Sequence, residues 1–296
     1  MVRIPIFLIL FVFAMVIQRL AITPLMDLFV YYRIIGTPLS FALILGLLWL
    51  MAKIIDRRKM SGYGLEWNAR WIKDLFFGLL LGIILISFVF FLELALGWVE
   101  IKDTFFVMED RSFWPMMILS ILLYIHVGFY EEATSRGYLL KNLAEGVNFK
   151  KTGPMFAVIF ALLFTSFLFG LGHANNPNST FVAWWNIVII GALLAYTFVI
   201  TKSLAISIGV HISWNFFQGC VYGFPVSGNL TQSSFLEINQ LGDPLWTGGS
   251  FGPEAGLVIY FVAVIWLILL HIWLKYTSAK KEDVCTFADY TKDTLE

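Results

Sequence analysis

The sequence predicts an all-α integral membrane protein, a polytopic bundle of about eight transmembrane helices with a polar cavity inside the membrane. Hydrophobic residues make up 59% of the chain and charged residues only 14%, and the mean hydropathy is +0.81. Soluble domains are about half apolar and about one quarter charged. The apolar residues are gathered in runs long enough to cross a bilayer, and a few ionisable residues fall inside those runs.

Eight apolar runs are candidate spans, because a span needs roughly 17 to 25 apolar residues. The first resembles a signal peptide, but no small-residue cleavage site follows it, so we interpret it as a first membrane helix. The eight runs cover residues 4–22, 35–53, 74–97, 113–142, 154–175, 181–201, 203–222 and 255–275.

The remaining segments are polar. Residues 224–256 are rich in Gly, Pro and Ser and contain no Lys or Arg, which indicates an outer loop partly packed over the bundle. We therefore assign residues 1–275 to the membrane bundle and residues 276–296 to a polar, loosely attached cytoplasmic tail. The net charge is zero, which argues against nucleic acid as a partner. The sequence carries no indication of oligomeric state.

Basic residues divide unequally between the two sets of connections. One set, with the N-terminus and the tail, holds sixteen of the 20 Lys and Arg residues, and the other holds only Arg19, Arg33, Lys102 and Arg111. Because cytoplasmic connections carry the excess of Lys and Arg, both termini are predicted to be cytoplasmic.

Three short motifs place polar side chains inside the apolar runs, where ionisable residues are rare and usually functional. They are "EEATSR" (131–136), "FGLGH" (169–173) and "HISWN" (211–215). At about 1.5 Å per residue, Glu131 lies roughly 15 Å deeper than Lys141, and His211 roughly 13 Å deeper than Lys202. The motifs are therefore expected at similar depths, where three helices can build one site.

Helical spacing predicts different roles for the two glutamates of the first motif. Residues four apart share a helix face, so Glu132 and Arg136 can form an internal ion pair, whereas Glu131 points about 100° away and is free for other work. In the other two motifs Phe169 and His173 are four apart, as are His211 and Asn215. Each of these pairs therefore shares a helix face. His126 and His271 have no partner at a fixed spacing, and we expect structural roles for them.

These groups suit the hydrolysis of an amide bond within the membrane. A buried glutamate beside a histidine can deprotonate water, and a second histidine with an asparagine can stabilise an oxyanion. No serine, cysteine or threonine stands at a nucleophile's spacing from a histidine, and Ser135 and Ser213 are interpreted as helix-packing residues. One Glu and two His could instead hold zinc, but the spacing is not HExxH, so we favour a metal-free reaction.

The ordered motifs EExxxR, FxxxH and HxxxN resemble the CAAX prenyl protease and bacteriocin-processing family, also called CPBP or ABI, over about residues 110–225. The resemblance implies an eight-helix bundle and a glutamate-dependent peptidase without cofactor or catalytic metal. It further implies the bacterial branch of the family, hence a bacterial plasma membrane, and a peptide or membrane-protein substrate met in membrane lipid.

The resemblance also assigns roles to individual residues. Glu131 would activate water with His173, and His211 and Asn215 would form the oxyanion hole. The supporting residues would be Glu132, Arg136 and Phe169. Two other classes stay open: a non-catalytic scaffold or bacteriocin-immunity-type protein that binds a peptide partner, and a proton-coupled transporter, against which stands the lack of an inverted repeat.

Overall fold

The computed structural model describes residues 2–22, 33–108, 111–277 and 283–290. It is a polytopic helical bundle, 73% helical, and seven helices in the described part of the chain are long and apolar enough to cross a membrane. Helices dominate because a backbone in hydrocarbon must satisfy its own hydrogen bonds. Within the described residues the α-helices are α1 Arg3–Ile17, α2 Arg33–Leu50, α3 Ala69–Ala95, α4 Phe113–Glu132, α5 Lys141–Gly146, α6 Gly153–His173, α7 Phe181–Thr201, α8 Ala205–Phe216, α9 Pro244–Thr247 and α10 Ile259–Tyr276.

Four π-helical stretches extend these helices. They are Gln18–Ile22, Met51–Asp56, Ala133–Leu140 and Phe217–Val221. The third joins α4 to α5, so one unbroken helix runs over Phe113–Gly146. This helix is longer than a bilayer requires, as the sequence indicated, and it carries the first motif near its middle.

The eighth predicted span, residues 203–222, is present as a helix but is too short to count among the seven. It consists of the 12 residues of α8 and the 5 residues of the π-helical stretch that follows. At about 1.5 Å per residue this gives about 25 Å, slightly less than the hydrocarbon thickness of about 30 Å. Its ends nevertheless lead to opposite ends of the bundle, because Lys202 bonds Thr286 and Thr231 bonds Gly219.

Helix α8 is packed tightly against α3, and glycines permit the close approach. A Cβ on Gly78 would lie 2.4 Å from the carbonyl oxygen of Ile206, and a Cβ on Gly209 would lie 2.5 Å from that of Leu75. Small residues at helix contacts are the usual way for membrane helices to bring their backbones together. The packing fixes α8, which carries the third motif.

A two-stranded antiparallel sheet is the exception to the all-α prediction. Strands β1 Val99–Val107 and β2 Ser233–Gln240 pair from Val99 opposite Gln240 to Val107 opposite Ser233. Most of β1 is exposed, and its pattern of charged and apolar residues shows no buried face that would have predicted a strand. The sheet lies in the connections predicted to be outside the membrane.

The opposite end of the bundle is closed by a group of charged residues that we call the basic cluster. Arg58 forms a salt bridge with Glu145, which Arg3 and Lys141 also approach at 3.5 and 3.3 Å. Arg3 lies 3.4 Å from the fully buried Asp56. The cluster consists of Arg3, Asp56, Arg58, Lys141 and Glu145.

The described part of the C-terminal tail is docked on this cluster, which corrects the prediction of loose attachment. Phe287 is 1% exposed and packs edge-on against Phe198. Lys141 donates to the carbonyl oxygen of Phe287 at 2.6 Å, and the Tyr290 hydroxyl donates to that of Asp56 at 2.8 Å. The polar composition of the tail gave no indication that Phe287 would be deeply buried.

These contacts bring the predicted cytoplasmic connections together at one end, as a shared side of the membrane requires. The N-terminal residue Arg3, the connection after α2, helix α5, Lys202 and residues 283–290 all meet there. The assignment of this end to the cytoplasm stays a prediction. The side chains of Arg33, Lys280, Lys281 and Lys292, which entered the charge count, lie outside the described residues.

Candidate active site

The predicted ion pair of the first motif is present. Arg136 Nη1 donates to Glu132 Oε1 at 3.0 Å, and the two residues are 1% and 0% exposed. The other guanidinium nitrogen donates to the carbonyl oxygen of Gly191 at 3.3 Å, and the guanidinium lies 4.0 Å from the centre of the Phe169 ring. Arg136 therefore ties the first motif to α7 and to the second motif.

His211 lies between the two glutamates, which the spacing within each motif could not predict. Its Nδ1 is 2.9 Å from Glu132 Oε1, and its Nε2 is 3.9 Å from Glu131 Oε2. Since a carboxylate only accepts, the Nδ1 proton points to Glu132. One carboxylate thus serves both Arg136 and His211, and it fixes the orientation of the imidazole.

Glu131 is held by a residue that sequence reasoning missed. The Tyr130 hydroxyl donates to Glu131 Oε1 at 3.1 Å, and the Tyr130 ring packs 4.9 Å from that of His126. The other carboxylate oxygen, Oε2, is buried and has no hydrogen-bond partner among the described residues. Glu131 thus keeps one oxygen anchored and one available, next to His211.

His173 is the last residue of α6 and bonds back to its own helix. Its Nδ1 lies 2.8 Å from the carbonyl oxygen of Phe169, and the two rings are 4.7 Å apart. A carbonyl oxygen can only accept, so Nδ1 carries the proton and Nε2 keeps its lone pair in the neutral ring. His173 can therefore accept a proton at Nε2.

All three motifs face one cavity of about 530 Å³, within the usual range for ligand sites. Asn215, one turn after His211 on α8, is 8% exposed. Glu132 and Arg136 lie fully buried behind the wall rather than on it. The motif residues on the wall are Glu131, Phe169, His173, His211, Trp214 and Asn215.

The other polar residues singled out from the sequence have packing contacts. Ser213 bonds the carbonyl oxygen of Gly209 at 2.9 Å within α8. His271 bonds Tyr196 at 3.2 Å, and His126 is buried against Phe41 and Tyr130. Within the described ranges, no three His, Cys, Asp or Glu side chains are grouped to hold a metal ion.

Comparison with known proteins agrees with the motifs. Residues 112–217 match the family model described as type II CAAX prenyl endopeptidase, Rce1-like. The match confirms the resemblance over nearly the stretch predicted, and it contains every residue of the candidate site. It supports the general role of a CAAX-type intramembrane protease, acting on a peptide or protein substrate in a membrane. No curated protein and no solved structure matched the chain.

Proposed function

We propose that this protein is an intramembrane endopeptidase that hydrolyses a peptide bond with a water activated by Glu131. One observation carries the proposal. Side chains from three separate helices, each from a different motif and all from the matched region, line a single cavity. A carboxylate, two imidazoles and an amide at one wall are the groups that metal-free amide hydrolysis needs.

The geometry supports a division of roles. Glu131 Oε2 is buried and unpaired within the described structure, so it is the oxygen suited to take a proton from water. His173 Nε2, free to accept, would hold the same water. The water oxygen attacks the peptide carbonyl carbon while its proton passes to Glu131. When the C–N bond breaks, Glu131 returns that proton to the leaving amine, so one water is consumed and a carboxyl and an amine are formed.

His211 and Asn215 would stabilise the oxyanion of the intermediate. Asn215 has amide donors, whereas His211 must carry a proton on Nε2 as well as the one that Nδ1 points at Glu132. That imidazolium would stand between Glu131 and Glu132, whose charges favour it. With Arg136 included, the four groups then sum to zero charge. The desolvation cost of burying these four groups is offset only when their positive and negative charges balance.

Glu131→Gln is the direct test. The purified protein in detergent would be assayed with an internally quenched peptide library, with Glu100→Gln on the exposed strand β1 as the matched control. We expect cleavage to fall about 1,000-fold in Glu131→Gln, since loss of a general base costs about 10²–10⁴ in rate. The control should cleave normally.

Three outcomes would contradict the proposal. Retained cleavage in a folded Glu131→Gln protein would remove the assigned mechanism. Loss of wild-type cleavage in a strong chelator, reversed by zinc, would replace it with a metal-dependent one. Binding of library peptides without any cleavage would favour the scaffold or immunity-type class instead.

A further inference from the structure

The cavity lies in only one half of the bundle. Helix α6 begins near the basic cluster and contributes only residues at its far end, Phe169 and His173. Helices α7 and α10 run the other way, and the wall residues on them end at Leu194 and Trp266, before the last turns of either helix. On the long helix of α4, the wall runs from Met116 to Glu131 and stops there. Glu131 is therefore at the floor.

Polar loop residues surround the other end of the cavity, and we call them the outer rim. They belong to the segment predicted to be an outer loop and to the turn after α6. Leu230, beside them on the wall, is 68% exposed, so the cavity reaches the surface here. The outer rim consists of Asn176, Ser227, Asn229, Thr231, Gln232 and Glu254.

The outer rim is held in place by buried and partly buried hydrogen bonds. Gln218 Nε2 donates to Glu254 Oε2 and to the Pro225 carbonyl oxygen, both at 2.6 Å. Asn176 donates to the carbonyl oxygen of Ser227 at 3.0 Å, and the Ser227 hydroxyl donates to Glu254 Oε1 at 3.3 Å. The rim is thus a built edge rather than an accidental gap between loops.

In the described part of the chain, the end with the basic cluster offers no comparable route. None of the described lining residues comes from the connections 51–68, 141–152 or 201–204. Arg58 and Glu145 bridge that end, and the docked segment 283–290 covers it. A molecule that reaches Glu131 must therefore pass the outer rim or come sideways through the helices.

From this geometry we infer that the substrate enters past the outer rim, from the face of the membrane opposite the basic cluster. With the basic residues on the cytoplasmic side, that face is extracytoplasmic. The substrate class is an apolar peptide segment presented at the outer surface, such as an exported peptide or an external segment of a membrane protein. The word substrate here rests on the proposed function.

The walls match such a segment. Leucine, isoleucine and valine side chains line the cavity between the floor and the rim, among them Leu119, Val127 and Ile190. The rim offers amide and hydroxyl groups, which can bond an extended backbone as it leaves the membrane. The cavity has room for a few residues at a time.

Thiol labelling of the full-length chain tests the route without requiring cleavage. In a Cys285→Ser background, where Cys220 is buried, Val127→Cys places a thiol on the cavity wall one turn from Glu131. Ile125→Cys is the matched control, since Ile125 lies at nearly the same depth on the same helix and is 42% exposed on the outside of the bundle. Leu230→Cys and Lys150→Cys report the two faces.

A membrane-impermeant methanethiosulfonate would be applied to intact cells and to inverted vesicles. We expect Val127→Cys and Leu230→Cys to be labelled in intact cells and to lose labelling in inverted vesicles, with the opposite result for Lys150→Cys. Ile125→Cys should be labelled in neither, because its thiol faces lipid. A bulky maleimide on Leu230→Cys should abolish peptide cleavage, and the same adduct on Lys150→Cys should not.

Labelling of Val127→Cys from the side that labels Lys150→Cys would overturn the route, as would labelling from neither side. Labelling of Lys150→Cys in intact cells would overturn the assignment of the faces. A protein that shows the expected labelling but no Glu131-dependent cleavage would keep the route and lose the proposed function.

Discussion

The two ends of this bundle are held together by different kinds of side chains and interactions. At the end with the basic cluster, charged side chains from three segments meet in largely buried ion pairs, and a docked terminal segment covers them. At the outer rim, small amides and hydroxyls hold loops around an opening. Ion pairs close one end, and hydrogen bonds between small polar groups hold the loops around the opening at the other.

The difference teaches which residues carry stability and which carry function. Substitutions in the basic cluster should change the free energy of unfolding and leave cleavage per folded molecule unchanged. Substitutions at the floor of the cavity, around Glu131, should lower cleavage per folded molecule and leave the free energy of unfolding unchanged. Four predictions, ordered by expected effect, test that separation.

Arg58→Met should give the largest effect on stability. Arg58 is 2% exposed and pairs with Glu145, and removal of one partner of a buried pair costs about 3–5 kcal/mol. Arg3 and Lys141 still face Glu145, so we expect about 3 kcal/mol, the low end of that range. Denaturant unfolding in detergent measures it, with the exposed Lys150→Met as control. A matching loss of cleavage per folded molecule would break the comparison between the ends.

Phe287→Ala should release the docked tail. A buried phenylalanine truncated to alanine costs about 3–5 kcal/mol, but local detachment of residues 283–290 limits the global loss to about 2 kcal/mol. Faster hydrogen exchange of those residues is the measurement. Cys285→Ser, in the same segment but not in its buried part, is the control. Unchanged exchange would show that the tail is held by its polar bonds alone.

Tyr130→Phe should lower kcat about fivefold and leave KM unchanged, since one lost hydrogen bond is worth about 1 kcal/mol and its partner is Glu131. The result would sharpen the comparison by assigning a positioning residue to the cavity side. Tyr196→Phe, which loses a bond to His271 away from the site, should cleave at the wild-type rate. A stability loss with unaltered kcat would make Tyr130 a packing residue only.

The smallest effect concerns pH. Burial raises the pKa of Glu254 to about 7, above the value of 4.5 expected in an unfolded chain, although the bond from Gln218 opposes the shift. Between those values the native state holds a proton that the unfolded chain has lost, so stability falls as pH rises from about 5 to about 7 and is level above.

Glu254→Gln removes that titration. The drop in melting temperature from pH 5.5 to pH 8 should therefore be smaller in Glu254→Gln than in the wild type, whereas Glu100→Gln on the exposed strand should retain the full drop. Equal drops in all three proteins would mean that Glu254 does not titrate in this range.

Much of the architecture was readable from the sequence because bilayer physics is strict. Apolar runs predicted the spans, and the spacing of four residues predicted the pair between Glu132 and Arg136. The contact between His211 and Glu132 was not readable, since it joins residues 79 apart and depends on how α8 packs. Tyr130 was missed because tyrosine is common in membrane helices, and its role follows only from where its hydroxyl points.

Strand β1 and the docking of Phe287 were not predicted from the sequence, and both for the same reason. Strand β1 pairs with β2 across more than one hundred residues of sequence, and Phe287 finds its pocket on α7 in the same way. Neither segment carries a periodic apolar pattern, so only the assembled tertiary structure identifies them.

The π-helical stretch Ala133–Leu140 fixes how the residues after it are rotated about the helix axis relative to the residues before it. Each residue of a helix turns the chain by about 100°, and a π turn absorbs one residue more than an α turn. Glu131 and Glu132 precede this stretch, and Lys141, Asn142 and Glu145 follow it on the same rigid axis. Deleting a single residue from this stretch would rotate Lys141, Asn142 and Glu145 about the helix axis, away from the residues that they contact in the basic cluster and beside it. The length of these eight residues is therefore constrained independently of the side-chain contacts that Arg136 makes.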